Sequence, residues 1–216
     1  EHRKRIQKQG GPEMLELKNI SYSYTNSAAG RKTVLDKFNY EFNDTGLYVL
    51  VGRSGCGKST LLNIISGLAV SESGEVCKSG KVSYMFQEAR LFPWLTATEN
   101  VNIVLGGKKE TLDIAKKMLT DVGLGKNLSS FPDELSGGMK QWVSFSRAMV
   151  YNGDIILLDE PFGGLDKENA VKMIGFIKEA AKRALVITVT HIPEYVSLLG
   201  GTVINMFPIG GGENES

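Results

Sequence analysis

Gly52-Arg53-Ser54-Gly55-Cys56-Gly57-Lys58-Ser59-Thr60 constrains this chain more than any other stretch. A compact apolar run, Leu47 to Val51, precedes it, and the helix-like Leu61-Leu62-Asn63-Ile64-Ile65 follows. A buried strand, a glycine-rich turn and a helix start are what a polyphosphate cradle requires. Glycines let backbone N–H groups close around an anion, and the next helix N-terminus adds unsatisfied donors and a partial positive charge. On this reading Lys58 reaches the outer phosphates and the Ser59 hydroxyl binds a magnesium ion. The plain alternative is a glycine-rich turn with a surface lysine. The full G-x-x-x-x-G-K-[ST] spacing in its strand-to-helix setting favours a nucleoside triphosphate site.

Composition narrows the setting. At 216 residues the chain can bury a good core as one domain with a sub-lobe. Its net charge of +1 gives no electrostatic footprint for nucleic acid, so no nucleic-acid partner is expected. The two cysteines, Cys56 and Cys77, do not suggest a disulfide framework. Cys56 lies inside the phosphate loop, where a crosslink would obstruct function, which points to a reducing cytoplasm. No apolar run approaches the roughly 18 residues that span a bilayer, and no apolar stretch follows the basic N-terminus as in a secretory signal. A membrane role would therefore need a partner. Residues 1–13 read as a basic flexible tail or an artificial addition, with Met14 as a candidate natural start.

Alternation in Leu15, Leu17, Ile20, Tyr22 and Tyr24, and again in Phe38, Tyr40 and Phe42, predicts two half-buried antiparallel strands. The turn-rich stretch from Asn26 to Lys32 predicts a long loop between them. Tyr24 stands where strand meets loop and can offer its ring to a flat ligand or pack in the core. Beyond the phosphate helix, Ser73-Gly74 and Ser79-Gly80 punctuate an expected short strand pair. Lys81 to Phe86 reads as a further strand ending at Gln87. Thr96 and Glu99 have capping-box spacing. Leu112, Ala115, Leu119 and Val122 recur at helical spacing, with stops at Gly123 and Gly125. Residues 88–150 are thus expected to be mainly helical, inserted between strands of an α/β sheet.

Within that insert, Ser136 in Leu135-Ser136-Gly137-Gly138-Met139-Lys140-Gln141 is a good N-cap. A Ser-Gly-Gly helix start is either an ordinary capped terminus or a second anion site. Ile155 to Leu158 suits a fully buried parallel strand and delivers Asp159 and Glu160 to its C-terminal end, where α/β sheets bind ligands. One carboxylate there can hold magnesium through its water shell, and the other can orient and deprotonate a water. Leu185 to Thr190 delivers His191 in the same way, toward a terminal phosphate or that water. Thr202 to Met206 is a last strand.

Taken together, these segments resemble the ATP-binding subunit of ABC transporters over essentially all of Leu15 to Met206. The resemblance implies an α/β P-loop NTPase of ABC type. It would have a mainly parallel central sheet, an antiparallel β layer and a helical subdomain at about 88–150 inserted in one domain, 14–216. Tyr24 matches the aromatic that stacks on adenine, and Gly52 to Thr60 the Walker A loop. Gln87 matches the Q-loop glutamine, which senses magnesium and the membrane subunit. Leu135 to Gln141 matches the LSGGQ signature with Met139 in place of glutamine. Ile155 to Glu160 matches Walker B, with Asp159 at magnesium and Glu160 as catalytic base. Gly163-Gly164-Leu165-Asp166 matches the D-loop, and His191 the switch histidine.

The resemblance further implies MgATP as cofactor and a homodimer or paired ABC ATPase subunit. Ser136, Gly137 and Gly138 of one copy would complete the ATP site of the other. It implies transmembrane permease subunits pressing near Gln87, an extracytoplasmic solute-binding protein, and a position on the cytoplasmic face of the plasma membrane. Phe86 to Thr96 is similar to the corresponding stretch of nitrate, sulfonate, taurine and thiamine-precursor importers. An ATPase of lipid or lipoprotein export, and a soluble ABC ATPase without a transport role, are the alternatives. Two departures stand out. Trp142 occupies a position usually held by arginine, which would alter packing or helix pairing, and Ile192-Pro193-Glu194 replaces the usual residues after the switch histidine.

Overall fold

Alternation at the start of the chain builds an antiparallel layer. The computed structural model describes residues 15–26 and 30–209, so the basic tail and Met14 lie outside the described residues. β1 (Leu15–Asn26) pairs with β2 (Gly30–Phe42) on one side and with β4 (Ser73–Lys78) on the other; β3 (Gly46–Val51) and α1 (Lys58–Ser66) intervene in the chain. The step from Leu17 to Ile20 breaks the two-residue period. Both pairings shift register there, and Asn19 takes a φ of 51°, as a bulge requires.

Two expectations about this layer are corrected. The loop after Asn26 is short, because β2 already begins at Gly30 and pairs Thr25 with Arg31, Tyr24 with Lys32 and Ser23 with Thr33. Polar contacts, invisible to an apolar pattern, hold that end. Glu72 Oε2 accepts from Arg31 Nη2 at 2.6 Å and from Ser23 Oγ at 3.2 Å. The second correction concerns residues 73–80, which form no strand pair of their own. Their single strand, β4, adds to the far edge of β1.

The buried apolar runs form the second sheet. β5 (Val82–Met85), β6 (Ile155–Asp159), β7 (Leu185–Val189) and β8 (Thr202–Asn205) join β3 in the order β5-β6-β7-β3-β8, with every pairing parallel. Parallel neighbours need long crossovers, and helices supply them. Between β5 and β6 run α2 (Ala97–Asn102), α3 (Leu112–Asp121) and α4 (Gly137–Val150), with short 3-10 turns; α5 (Lys167–Ala181) and α6 (Pro193–Leu199) make the later crossings.

Successive strand residues face opposite sides, so the two-residue period divides the core. Ile156, Leu158, Val186 and Val49 pack toward α2–α5. Ile155, Leu157, Leu185, Ile187, Tyr48 and Leu50 pack toward α1 and the antiparallel layer. All five residues of β6 and of β7 are buried, as a sheet covered on both faces demands. Burying each large aliphatic side chain stabilises the fold by about 1.5–3 kcal/mol before entropy is counted. The sheet is therefore a rigid floor, and the turns leaving β3, β5, β6 and β7 gather at its C-terminal edge.

Trp142 joins that core. It is buried between α4 and α5, edge-on to Phe145 and Phe176 at ring-centroid distances of 5.6 and 6.1 Å, with Lys172 Nζ 5.9 Å above its ring. In place of the usual arginine the indole thus makes an aromatic contact between α4 and α5, with its Nε1 buried without a hydrogen-bond partner.

Candidate active site

A cleft of about 1000 Å³ opens where the sheet ends. Tyr24, Gly52 to Gly55, Gly57 to Thr60, Gln87, Glu160 and His191 line it. Residues as distant in the chain as Gly52 and His191 meet there because β3, β5, β6 and β7 stop at one edge.

The phosphate loop takes its shape from the strand–turn–helix sequence. Gly57 precedes α1 at φ 99°, in the left-handed region that favours glycine, and a Cβ there would lie 2.8 Å from the Val34 carbonyl oxygen. No side chain caps α1, and its first turn carries no acidic residue. Its N-terminal donors and dipole are thus left for an anion. Lys58 Nζ donates to the Gly52 and Arg53 carbonyls at 2.8 and 3.0 Å, which draws the ammonium against the inner rim of the loop. Cys56 is buried beneath the loop, its sulfur 3.8 Å from Lys58 Nζ, and does not line the cleft. Thr60 is buried, and its Oγ1 lies 2.9 Å from the Tyr24 hydroxyl, which fixes an otherwise half-exposed ring at the mouth.

Behind the loop stands Asp159, only 4% exposed. Burial pushes its carboxyl above the ordinary carboxylate range; a hydrogen bond from Ser59 opposes this, the Glu160 charge adds to it, and the Lys58 ammonium opposes it. Its Oδ1 is buried without a hydrogen-bond partner. An orphaned buried carboxylate oxygen beside a serine hydroxyl fits a hard divalent cation that draws its other ligands from phosphate and water.

Glu160 follows in a left-handed conformation, φ 47°. Such strain persists only when the surroundings over-determine it. Here the Glu160 N–H donates to the Val189 carbonyl at 3.2 Å, while the Glu160 carbonyl accepts from Gly163 N at 3.3 Å and Gln141 Nε2 at 3.4 Å. The result aims the carboxylate into the cleft. His191 Nδ1 sits 3.0 and 3.1 Å from its two oxygens, a geometry in which a protonated Nδ1 donates to either. Only Ile192 separates His191 from α6, whose first residue is Pro193, so the segment after the histidine is short.

The remaining expected residues stand elsewhere. Ser136 caps α4, its Oγ accepting from Met139 N at 3.3 Å. Gly138 packs beside Gly164 and Leu165, where an added Cβ would lie 3.2 Å from the Gly164 carbonyl oxygen. Asp166 caps α5, accepting from Asn169 N at 2.8 Å. Ser136, Gly137, Gly138 and Asp166 do not line the cleft of their own chain. Conversely Lys32, Val34, Glu88, Gln141, Gly163 and Val189 line it without having been singled out for that role. The Gln141 signal was its place one turn into the helix that Ser136 caps.

The family model described as ABC transporter matches residues 35–163. The chain belongs to the ABC transporter family. Among its ABC relatives, the bicarbonate transport ATP-binding protein CmpD of Synechocystis sp. is 41% identical over 166 residues, covering 70% of this chain and 58% of CmpD. The aliphatic sulfonates import ATP-binding protein SsuB 1 of Streptomyces avermitilis is 40% identical over 184 residues, 84% of this chain and 70% of that protein. The SsuB of Burkholderia ambifaria is 35% identical, and 60% of it is covered. The chain thus spans 58% of CmpD and 60% of that SsuB. Among solved structures, a dimeric post-hydrolysis state of the ATP-binding cassette MJ0796 bound to ADP and Pi superposes with a TM-score of 0.83 at 27% identity, covering 91% of this chain and 97% of that one. The ABC ATPase fold, with its parallel sheet, antiparallel layer and helices, is therefore established for this chain.

Proposed function

We propose that this chain is the ATP-hydrolysing subunit of an ABC importer, acting as one unit over 14–216 with a helical subdomain at about 88–150. The observation that carries this reading is the meeting of Lys58, Asp159, Glu160 and His191 at one sheet edge beside an uncapped helix N-terminus. The name of the SsuB relatives supports import over export, and that of CmpD supports transport of a small solute.

Each residue then has a task. Tyr24 offers its exposed ring to adenine, held in place by Thr60. Gly52, Arg53, Ser54, Gly55, Cys56, Gly57, Lys58 and Thr60 wrap the phosphates, through main-chain N–H groups and the Lys58 ammonium. Cys56 contributes only its backbone. Ser59, Asp159 and Gln87 would hold Mg2+, whose charge, when bound, offsets that of the phosphates. Glu160 orients and deprotonates the attacking water, and His191 fixes the carboxylate while its other edge faces the terminal phosphate. Ser136, Gly137, Gly138 and Asp166 act across a pair of ATPase subunits, completing the partner's site. Permease subunits would dock near Gln87, a solute-binding protein would deliver the solute, and the whole would sit on the cytoplasmic face of the membrane. No helix among the described residues is long and apolar enough to cross a membrane, so the transport path falls to those permease partners.

The test is isolation from membranes of the source cells together with a phosphate-release assay. Magnesium-dependent ATP turnover and co-isolation of a polytopic membrane protein are expected. An absence of turnover in that assembled complex would overturn the reading.

A further inference from the structure

We infer that Lys32 is a second cation of the nucleotide site, supplied by β2 and acting on the phosphates nearest the ribose. This rests on the reading of the cleft as an ATP site. β2 runs alongside the phosphate loop and leans on it at two points. The Val34 carbonyl would lie 2.8 Å from a Cβ at Gly57, and two residues earlier Lys32 Nζ would lie 3.6 Å from a Cβ at Gly55. The Val34 contact is made by its main-chain carbonyl at a register shift of β2, so it fixes how close the strand lies to the loop, and the Gly55 contact sets Lys32 over that loop. Across the hairpin Lys32 pairs with Tyr24, and both line the cleft with Gly55 and Arg53. The ammonium therefore stands between the proposed adenine platform and the loop, where the sugar and first phosphates pass. Lys58 belongs to the far end, at the strand side of α1.

Charge pairing points the same way. Arg31, next along the strand, is neutralised by Glu72 at 2.6 Å, and Lys18 on β1 by Glu16 at 2.8 Å. Lys32 has no carboxylate partner among the described residues. An unpaired ammonium above a loop of N–H donors is available to a phosphate oxygen, and being exposed it acts in a salt-sensitive way.

The test titrates MgATP and MgADP into the unaltered protein, Lys32→Met and Lys32→Arg by calorimetry across a series of salt concentrations. Lys32→Met keeps the length of the side chain without its charge and leaves the core untouched. ATP and ADP affinity should both fall by the same factor, about three- to tenfold at low salt. The salt dependence should flatten, and Lys32→Arg should restore most of the loss. Unchanged affinity in Lys32→Met, a loss confined to ATP, or an undiminished salt dependence would overturn the inference. Failure of the unaltered protein to bind either nucleotide would instead overturn the reading of the cleft itself.

Discussion

Two helices of this chain begin with glycine at a terminus suited to an anion, and they meet the demand of their free N–H groups in opposite ways. α1 starts after Gly57 with no side-chain cap, while α4 starts after Ser136, whose hydroxyl accepts from Met139 N at 3.3 Å. The first leaves its donors to a ligand and is surrounded by Lys58, Glu160 and His191. The second satisfies part of its own need and lies against Gly164 and Leu165, outside the cleft. One chain thus carries a finished binding end and an unfinished one. On the proposed function, α1 would hold the nucleotide within the chain, whereas α4 would reach a nucleotide only across an interface.

The sharpest way to break that contrast is to remove the chemistry and keep the cradle. Glu160→Gln preserves the size and placement of the side chain but cannot accept a proton. Hydrolysis should fall by about 10²- to 10⁴-fold, with ATP binding retained; single-turnover assays beside equilibrium titration read the two separately. A mutant that turned over at the original rate would remove Glu160 from the role of base. Next in size is Lys58→Ala. Loss of a charge-assisted contact at the outer phosphates should weaken ATP by about 10- to 100-fold. If ATP bound Lys58→Ala as tightly as before, the α1 end would not be the phosphate site.

How much of this was legible beforehand follows from what a sequence pattern records. Ile155 to Leu158 is apolar without alternation because β6 is buried on both faces, and the acidic pair that ends it could be placed at the sheet edge. The capping spacing at Thr96 and Glu99 and the N-cap at Ser136 were legible because caps are local chemistry. The start of β2 was not, since Arg31 and Thr33 are held by polar partners up to 41 residues away, Glu72 and Ser23. Gln141 and Gly163 reached the site only through tertiary placement against the Glu160 carbonyl. The left-handed backbone of Glu160 likewise depends on Val189, which no local pattern contains.

The smallest expected effects distinguish a cap from a site. Ser136→Ala and Thr96→Ala each remove a helix cap, worth about 1 kcal/mol, or about 2–4 °C in the melting temperature of a chain this size. If α4 is only a capped helix, the two mutants behave alike, with lower melting and unchanged hydrolysis. If Ser136 also serves a nucleotide held by a second copy, Ser136→Ala alone should reduce hydrolysis while its single-chain ATP affinity stays the same. Acid separates the two caps further. The Thr96 backbone N–H and then its hydroxyl hold the Glu99 carboxyl below its ordinary value of 4.5. A depressed carboxylate stabilises the fold above its unfolded pKa and loses that contribution as pH falls through the lower folded value. The Thr96→Ala deficit should therefore narrow as melts are repeated below pH 4.5, while the deficit of Ser136→Ala, a neutral hydroxyl cap, should persist. A Thr96→Ala deficit independent of pH would show that the bond the Thr96 hydroxyl donates to the Glu99 carboxylate adds nothing to the α2 cap.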